Sequence, residues 1–154
     1  MRRYTGTRDG VAQGKRPGTE QWVKEAITLS GGVLWDNGTW VVRNQRGKQA
    51  LSVHATGRAM DLSYRGEPKG REAAKRVMKI LVDNHQLLGV ELILDYFPAP
   101  YGRGWRCDRA EWQTYSKATL AGSPGGDWIH VEISPRMADS PQRVTDAFAK
   151  VNVI

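Results

Sequence analysis

The chain has 154 residues, 40% of them hydrophobic and 25% charged. These are the proportions of one globular domain long enough to bury a core. No apolar run approaches the ~20 residues needed to span a bilayer, and the single cysteine, Cys107, excludes an intrachain disulfide. A formal charge of +7 favours anionic partners without choosing among nucleic acid, anionic lipid and wall polymers.

Residues 1–18 are rich in Arg, Gly and Thr and lack periodicity. They read as an irregular, mobile arm ahead of one domain at 19–154. Met1 to Gly6 also lack the apolar core of a signal peptide. Thr19 is placed to cap a helix running to about Ser30, with Trp22, Val23, Ala26 and Ile27 as its apolar stripe. Trp35 to Trp40 carry an Asn-Gly pair between apolar residues, which predicts a hairpin whose second strand is Thr39 to Arg43. A polar loop, Asn44 to Gln49, follows. Met60 to Tyr64 alternate as a strand.

The strongest helical pattern spans Gly70 to Leu88, with Gly89 as its cap and His85 near its end, where an imidazole suits the helix dipole. Val90 to Phe97 read as a central strand and Pro98 to Asp108 as a loop. Arg109 to Leu120 read as a short helix, Trp128 to Ser134 as the last strand, and Ser140-Pro141 as the start of a terminal helix. The order predicts an α+β domain with a mainly antiparallel sheet flanked by helices.

Two segments carry the chemistry. Ser52-Val53-His54-Ala55-Thr56-Gly57-Arg58-Ala59-Met60-Asp61 puts an imidazole and a carboxylate on either side of a glycine turn. Asp127-Trp128-Ile129-His130 adds a second imidazole and a second carboxylate. Strand alternation points Trp128, His130 and Glu132 one way and Ile129, Val131 and Ile133 the other. Asp61 likewise lies opposite Met60 and Leu62, so both strand-borne groups face away from the core. Two His and one Asp can hold a zinc ion and leave a position open for water, whose proton Asp127 can take. Glu132 can orient a neighbouring ligand, and Ser52 can hydrogen-bond near the metal or the substrate. Cys107 as a fourth ligand would close the site, but its Gly-rich surroundings and lack of a partner cysteine argue against it.

The run Ser52, His54, Gly57, Ala59, Asp61 and Leu62, with Asp127 and His130 downstream, resembles the zinc D-Ala-D-Ala carboxypeptidase/dipeptidase group. That group includes the L-alanyl-D-glutamate endopeptidases found as bacteriophage endolysins, and it shares a fold with hedgehog signalling domains. The likeness covers roughly Val41 to Ser134. It implies that His54, Asp61 and His130 bind one Zn2+ and that Asp127 is the catalytic carboxylate; the Asp at this position and the following His-x-Glu strand are similar to the endolysin branch. It also implies an upstream arginine for the developing oxyanion, Arg43 first and Arg46 second. Tyr96, Tyr101 and Trp105 are then candidates to pack on a stem peptide.

The resemblance thus implies a peptidase of peptidoglycan stem peptides, an endolysin or a virion-associated enzyme. It would be made in the host cytoplasm and reach the wall through a membrane lesion or with other virion proteins. One alternative is a noncatalytic zinc-binding module of a phage particle. The other is a basic nucleic-acid binder, against which Lys and Arg are dispersed rather than gathered in one recognition element.

Overall fold

The computed structural model describes residues 2–45 and 48–151. Among them, six strands form one antiparallel sheet: β1 (Trp35–Asp36), β2 (Ala59–Ser63), β3 (Val90–Asp95), β4 (Arg103–Arg106), β5 (Glu111–Thr114) and β6 (Trp128–Ile133). Their order is β1-β2-β6-β3-β4-β5. The helices are α1 (Pro17–Leu29), α2 (Gly70–Asp83), α3 (His85–Leu88), α4 (Pro135–Ala138) and α5 (Pro141–Ala149). This is a single α+β domain.

The side-chain period of two divides the sheet into unlike faces. Met60, Leu62, Ile93, Ile129, Val131 and Ile133 are fully buried, and they pack with Trp22 and Ala26 of α1 and Val77, Met78 and Leu81 of α2. The opposite parity puts Asp61, His130 and Glu132 on the other face. In the β2–β6 pairing, Asp61 and His130 are direct cross-strand partners. Among the described residues, no helix is long and apolar enough to cross a membrane.

Local structure departs from the sequence reading in several places. Helix α1 begins at Pro17, and no side chain caps it. Thr19 lies inside the first turn, where its hydroxyl donates to the Gly57 carbonyl at 2.6 Å. Trp35 to Arg43 do not fold into a hairpin. Trp35 and Asp36 pair with Ser63 and Leu62, the Asn37 amide donates to the Asp61 carbonyl and the Asp61 amide to the Gly38 carbonyl. The Asn-Gly segment therefore runs alongside β2 instead of turning back on itself.

The long helix is interrupted at Asn84, whose side chain bonds back to the Ile80 carbonyl at 2.8 Å. His85 consequently starts α3 rather than ending a helix, so the helix-dipole reading does not hold. The expected 98–108 loop contains β4, and the expected 109–120 helix contains β5.

Nor does residues' 2–16 lack of regular structure leave them undocked. The Arg2 guanidinium bonds the Val90 carbonyl. The Thr5 amide and hydroxyl both donate to Glu91 at 2.9 Å. Arg58, fully buried, donates to the Gly6 carbonyl, to Asp9 and to the Ile133 carbonyl. A buried guanidinium needs several acceptors, and the arm supplies two of them.

Candidate metal centre

Three chain segments converge above the polar face of β2 and β6. Asp61 and His130 come from the paired strands. His54 comes from a 3-10 turn, Val53–Thr56, that directly precedes β2. Ser52 begins this turn, its hydroxyl accepting from the His54 amide at 3.2 Å. Gly57 ends it at φ +75°, a left-handed conformation that glycine adopts without steric cost. That reversal swings His54 back over the strand it precedes.

His54 Nε2 lies 3.2 Å from Asp61 Oδ2, and His130 Nδ1 lies 3.1 Å from Asp61 Oδ1. The two imidazole rings stand edge to face with centroids 5.0 Å apart. One candidate ligand atom from each residue lies within 4.8 Å of the others. Two nitrogen or oxygen ligands about 2.0–2.1 Å from one tetrahedral ion are roughly 3.3 Å apart, so the cluster has the dimensions of a metal site and can hold one ion.

The outward nitrogens strengthen this fit. His54 Nδ1 is 2.5 Å from the Thr39 carbonyl oxygen, which only accepts, so Nδ1 carries the proton. His130 Nε2 is 2.7 Å from Glu132 Oε2, and this carboxylate fixes the second ring in the same way. When neutral, each ring then presents its lone pair toward Asp61, itself an acceptor. Three acceptors in one buried place repel one another unless a proton or a cation stands among them.

The charges respond accordingly. Burial pulls the His130 imidazolium down, but Asp61 and Glu132 on its two nitrogens outweigh this and raise it to about 10. For Asp61 burial pushes upward, yet the hydrogen bonds from His130 and His54 hold the carboxyl well below the usual range. Burial acts upward on Glu132 too, and His130, Tyr4 and Arg58 overcome it. A metal ion serves the same need as the protons do.

The cluster forms part of the floor of a cleft of about 720 Å³. Asp127 lines it, one-third exposed, with Oδ2 3.0 Å from the Arg65 guanidinium. Arg43 and Ser52 line it as well, whereas Arg46 falls outside the described residues. Tyr96 stacks on Trp128 at 4.4 Å to make one wall. Lys48, Arg106 and Arg109 extend the rim.

Two expected substrate contacts are not at the cleft. Trp105 is 1% exposed and belongs to the core under β4. Tyr101 lies outside the cleft lining, its carbonyl accepting from Ser123. Both assignments assumed an open loop at 98–108, where β4 instead turns Trp105 inward. Cys107 is buried, with its thiol toward the Arg2 and Arg3 carbonyls, and is not part of the cluster.

The sequence reading missed Arg65, Tyr4 and the Thr39 carbonyl. Trp128 was foreshadowed by its shared parity with His130. Tyr4, in an aperiodic arm, and a backbone carbonyl give no local signal. Comparison with family models, with curated proteins and with solved structures finds no match to this chain.

Proposed function

We propose that the protein is a zinc peptidase of hedgehog/DD-peptidase-like fold that cleaves the peptide portion of bacterial peptidoglycan. It would be an L-alanyl-D-glutamate endopeptidase or a D,D-carboxypeptidase, acting as a phage endolysin or a virion-associated enzyme after synthesis in the host cytoplasm. The carrying observation is the convergence of His54, Asp61 and His130 at the floor of a cleft. Two imidazoles and one carboxylate leave a coordination position for water, as catalytic zinc sites do and closed structural sites do not. Zinc, when bound, supplies Lewis acidity, bringing the pKa of a water to about 7 and polarising a carbonyl.

The side chains supply the rest. Asp127 takes the attacking water's proton at a carboxylate oxygen and returns it to the leaving amine. Its partner Arg65 is 73% exposed, and so open an ion pair is weak and easily exchanged. A substrate carboxylate can draw Arg65 off and release Asp127. Arg43 is the donor for charge developing on the carbonyl oxygen. The Tyr96–Trp128 wall offers a flat apolar surface to an extended peptide. The cleft lining holds Arg43, Lys48, Arg65, Arg106 and Arg109 together with Asp61, Asp127 and Glu132. That positive excess suits stem peptides, which carry carboxylates.

The test combines zinc analysis with turbidity loss of purified peptidoglycan. Wild type is expected to hold one zinc per chain and clear the suspension. His130→Ala is expected to lose both metal and activity. Asp127→Ala is expected to keep the metal and slow clearing by about 10²–10⁴-fold; clearing at the wild-type rate would remove Asp127 from the mechanism. The Arg65 pair, which occupies the Asp127 carboxylate, favours a second reading, a noncatalytic zinc-binding module of a phage particle. Bound zinc with no clearing by wild type selects that reading.

A further inference from the structure

The N-terminal arm reaches the His54–Asp61–His130 cluster through Tyr4, which lines the same cleft. The Tyr4 hydroxyl donates to Glu132 Oε1, and the other oxygen of the same carboxylate, Oε2, is the atom 2.7 Å from His130 Nε2. His130 in turn presents Nδ1 to Asp61 at 3.1 Å. Glu132 is 4% exposed, so the Tyr4 hydroxyl takes the place of water at that oxygen. A buried carboxylate clamped at both oxygens has little freedom to rotate, and neither does the ring it holds.

The position of the hydroxyl is itself fixed. Arg106 Cζ sits 4.2 Å from the centroid of the Tyr4 ring. One residue on, Thr5 is bonded twice to Glu91. Two residues on, Gly6 has φ +59°, and a Cβ there would lie 3.2 Å from the Tyr4 ring. Its carbonyl is gripped by the buried Arg58.

We infer that Tyr4 is a positioning residue for the metal centre, its hydroxyl orienting Glu132 and thereby the His130 ring that binds the ion. The inference rests on the metal-site part of the proposed function and requires no particular substrate. Removing the hydroxyl leaves Glu132 Oε1 buried without a donor, and the carboxylate then turns toward solvent or toward Arg58. The hydrogen bond that fixes His130 lengthens, and metal affinity falls. Partners that orient a metal-binding histidine typically contribute 10–100-fold in affinity; Tyr4, one bond further out, belongs at the lower end.

The test is a Co2+ titration of the full chain, following the visible d–d bands of the bound ion. Tyr4→Phe keeps the ring over Arg106 and is expected to raise the Co2+ dissociation constant about tenfold and alter the band envelope. Thr5→Val removes only the hydroxyl bond to Glu91, keeps the Thr5 amide bond that holds the arm and leaves the Tyr4 hydroxyl in place, and is expected to stay within about twofold of wild type. Glu132→Gln serves as the second variant. It is expected to weaken binding at least as much as Tyr4→Phe, and adding Tyr4→Phe to it is expected to cost little more, because both act through one chain of bonds.

An unchanged dissociation constant and spectrum in Tyr4→Phe, or in Glu132→Gln, overturns the inference. So does full additivity of the two, and so does an equal loss in Thr5→Val, which would mean that the arm only supports the fold. Failure of wild type to clear peptidoglycan while still binding Co2+ refutes the proposed peptidase and leaves this inference standing.

Discussion

At the scale of single residues, burial decides which charges matter. Asp95 is fully buried, yet it is held by Arg71 at 2.7 Å and Arg103 at 2.9 Å. Burial pushes its carboxyl upward, but the two guanidinium groups outweigh this and keep it below the ordinary range. A folded-state value depressed in this way stabilises the protein above the unfolded value of about 4, and the contribution is lost as the pH falls through the folded value. Asp95→Asn is therefore expected to destabilise by about 2–3 kcal/mol at pH 7. That is less than the 3–5 kcal/mol of a fully buried pair, because Arg71 and Arg103 are each about one-quarter exposed. Urea melts at pH 7 and at pH 3 check this: the gap between variant and wild type is expected to shrink at the lower pH. Asp61 and His130 were legible in the sequence for the complementary reason, since ionisable groups on the polar parity of apolar strands announce a use, and His54 was legible from its spacing to Asp61 across Gly57. Tyr4 and Arg65 were not, because each meets its partner only through the tertiary fold.

At the scale of elements, what was legible followed periodicity and what was missed followed backbone detail. Helix α2 and strands β2, β3 and β6 carry regular apolar spacing, and all four form. Strand β5 is short and mostly exposed, so no core constrains its pattern, and Arg109 to Leu120 read as easily as a helix. The β4–β5 connection turns on Ala110, a non-glycine residue at φ +52°, with its amide bonded to the Arg106 carbonyl at 2.7 Å. No turn signature marks it in the sequence. A left-handed conformation costs an L-residue about 1–2 kcal/mol, partly offset by the greater freedom of an unfolded glycine. Ala110→Gly is expected to raise stability by roughly 0.5–1 kcal/mol, measured as a higher urea midpoint with an unchanged slope.

At the scale of the molecule, the cluster links the 3-10 turn, β2 and β6 and, through Glu132, the N-terminal arm. An ion that binds only the folded chain stabilises the whole of it by mass action, about 2.7 kcal/mol when present at 100 times its dissociation constant. For a domain of this size that corresponds to roughly 5–10 °C in melting temperature. Zinc added to metal-free protein is expected to give such a rise and a chelator to reverse it; scanning calorimetry with and without His54→Ala checks that the rise depends on the cluster. The α+β class and the antiparallel sheet were legible from the order of elements. The docking of residues 2–16 was not, since it depends on Arg58 donating to the arm, and on Glu91 and Glu132 accepting from it, across more than 45 residues of chain.

The direct pairing of Asp61 with His130 across β2 and β6 ties assembly to the formation of a cluster that could hold an ion. Sliding one strand past the other by a single residue would turn Met60 and Leu62 outward and carry the aspartate away from its imidazole in the same motion. A misaligned chain thus forfeits its oily interior and the cluster that could hold a cation together. Ion uptake during refolding would report correct strand alignment as faithfully as any probe of the core.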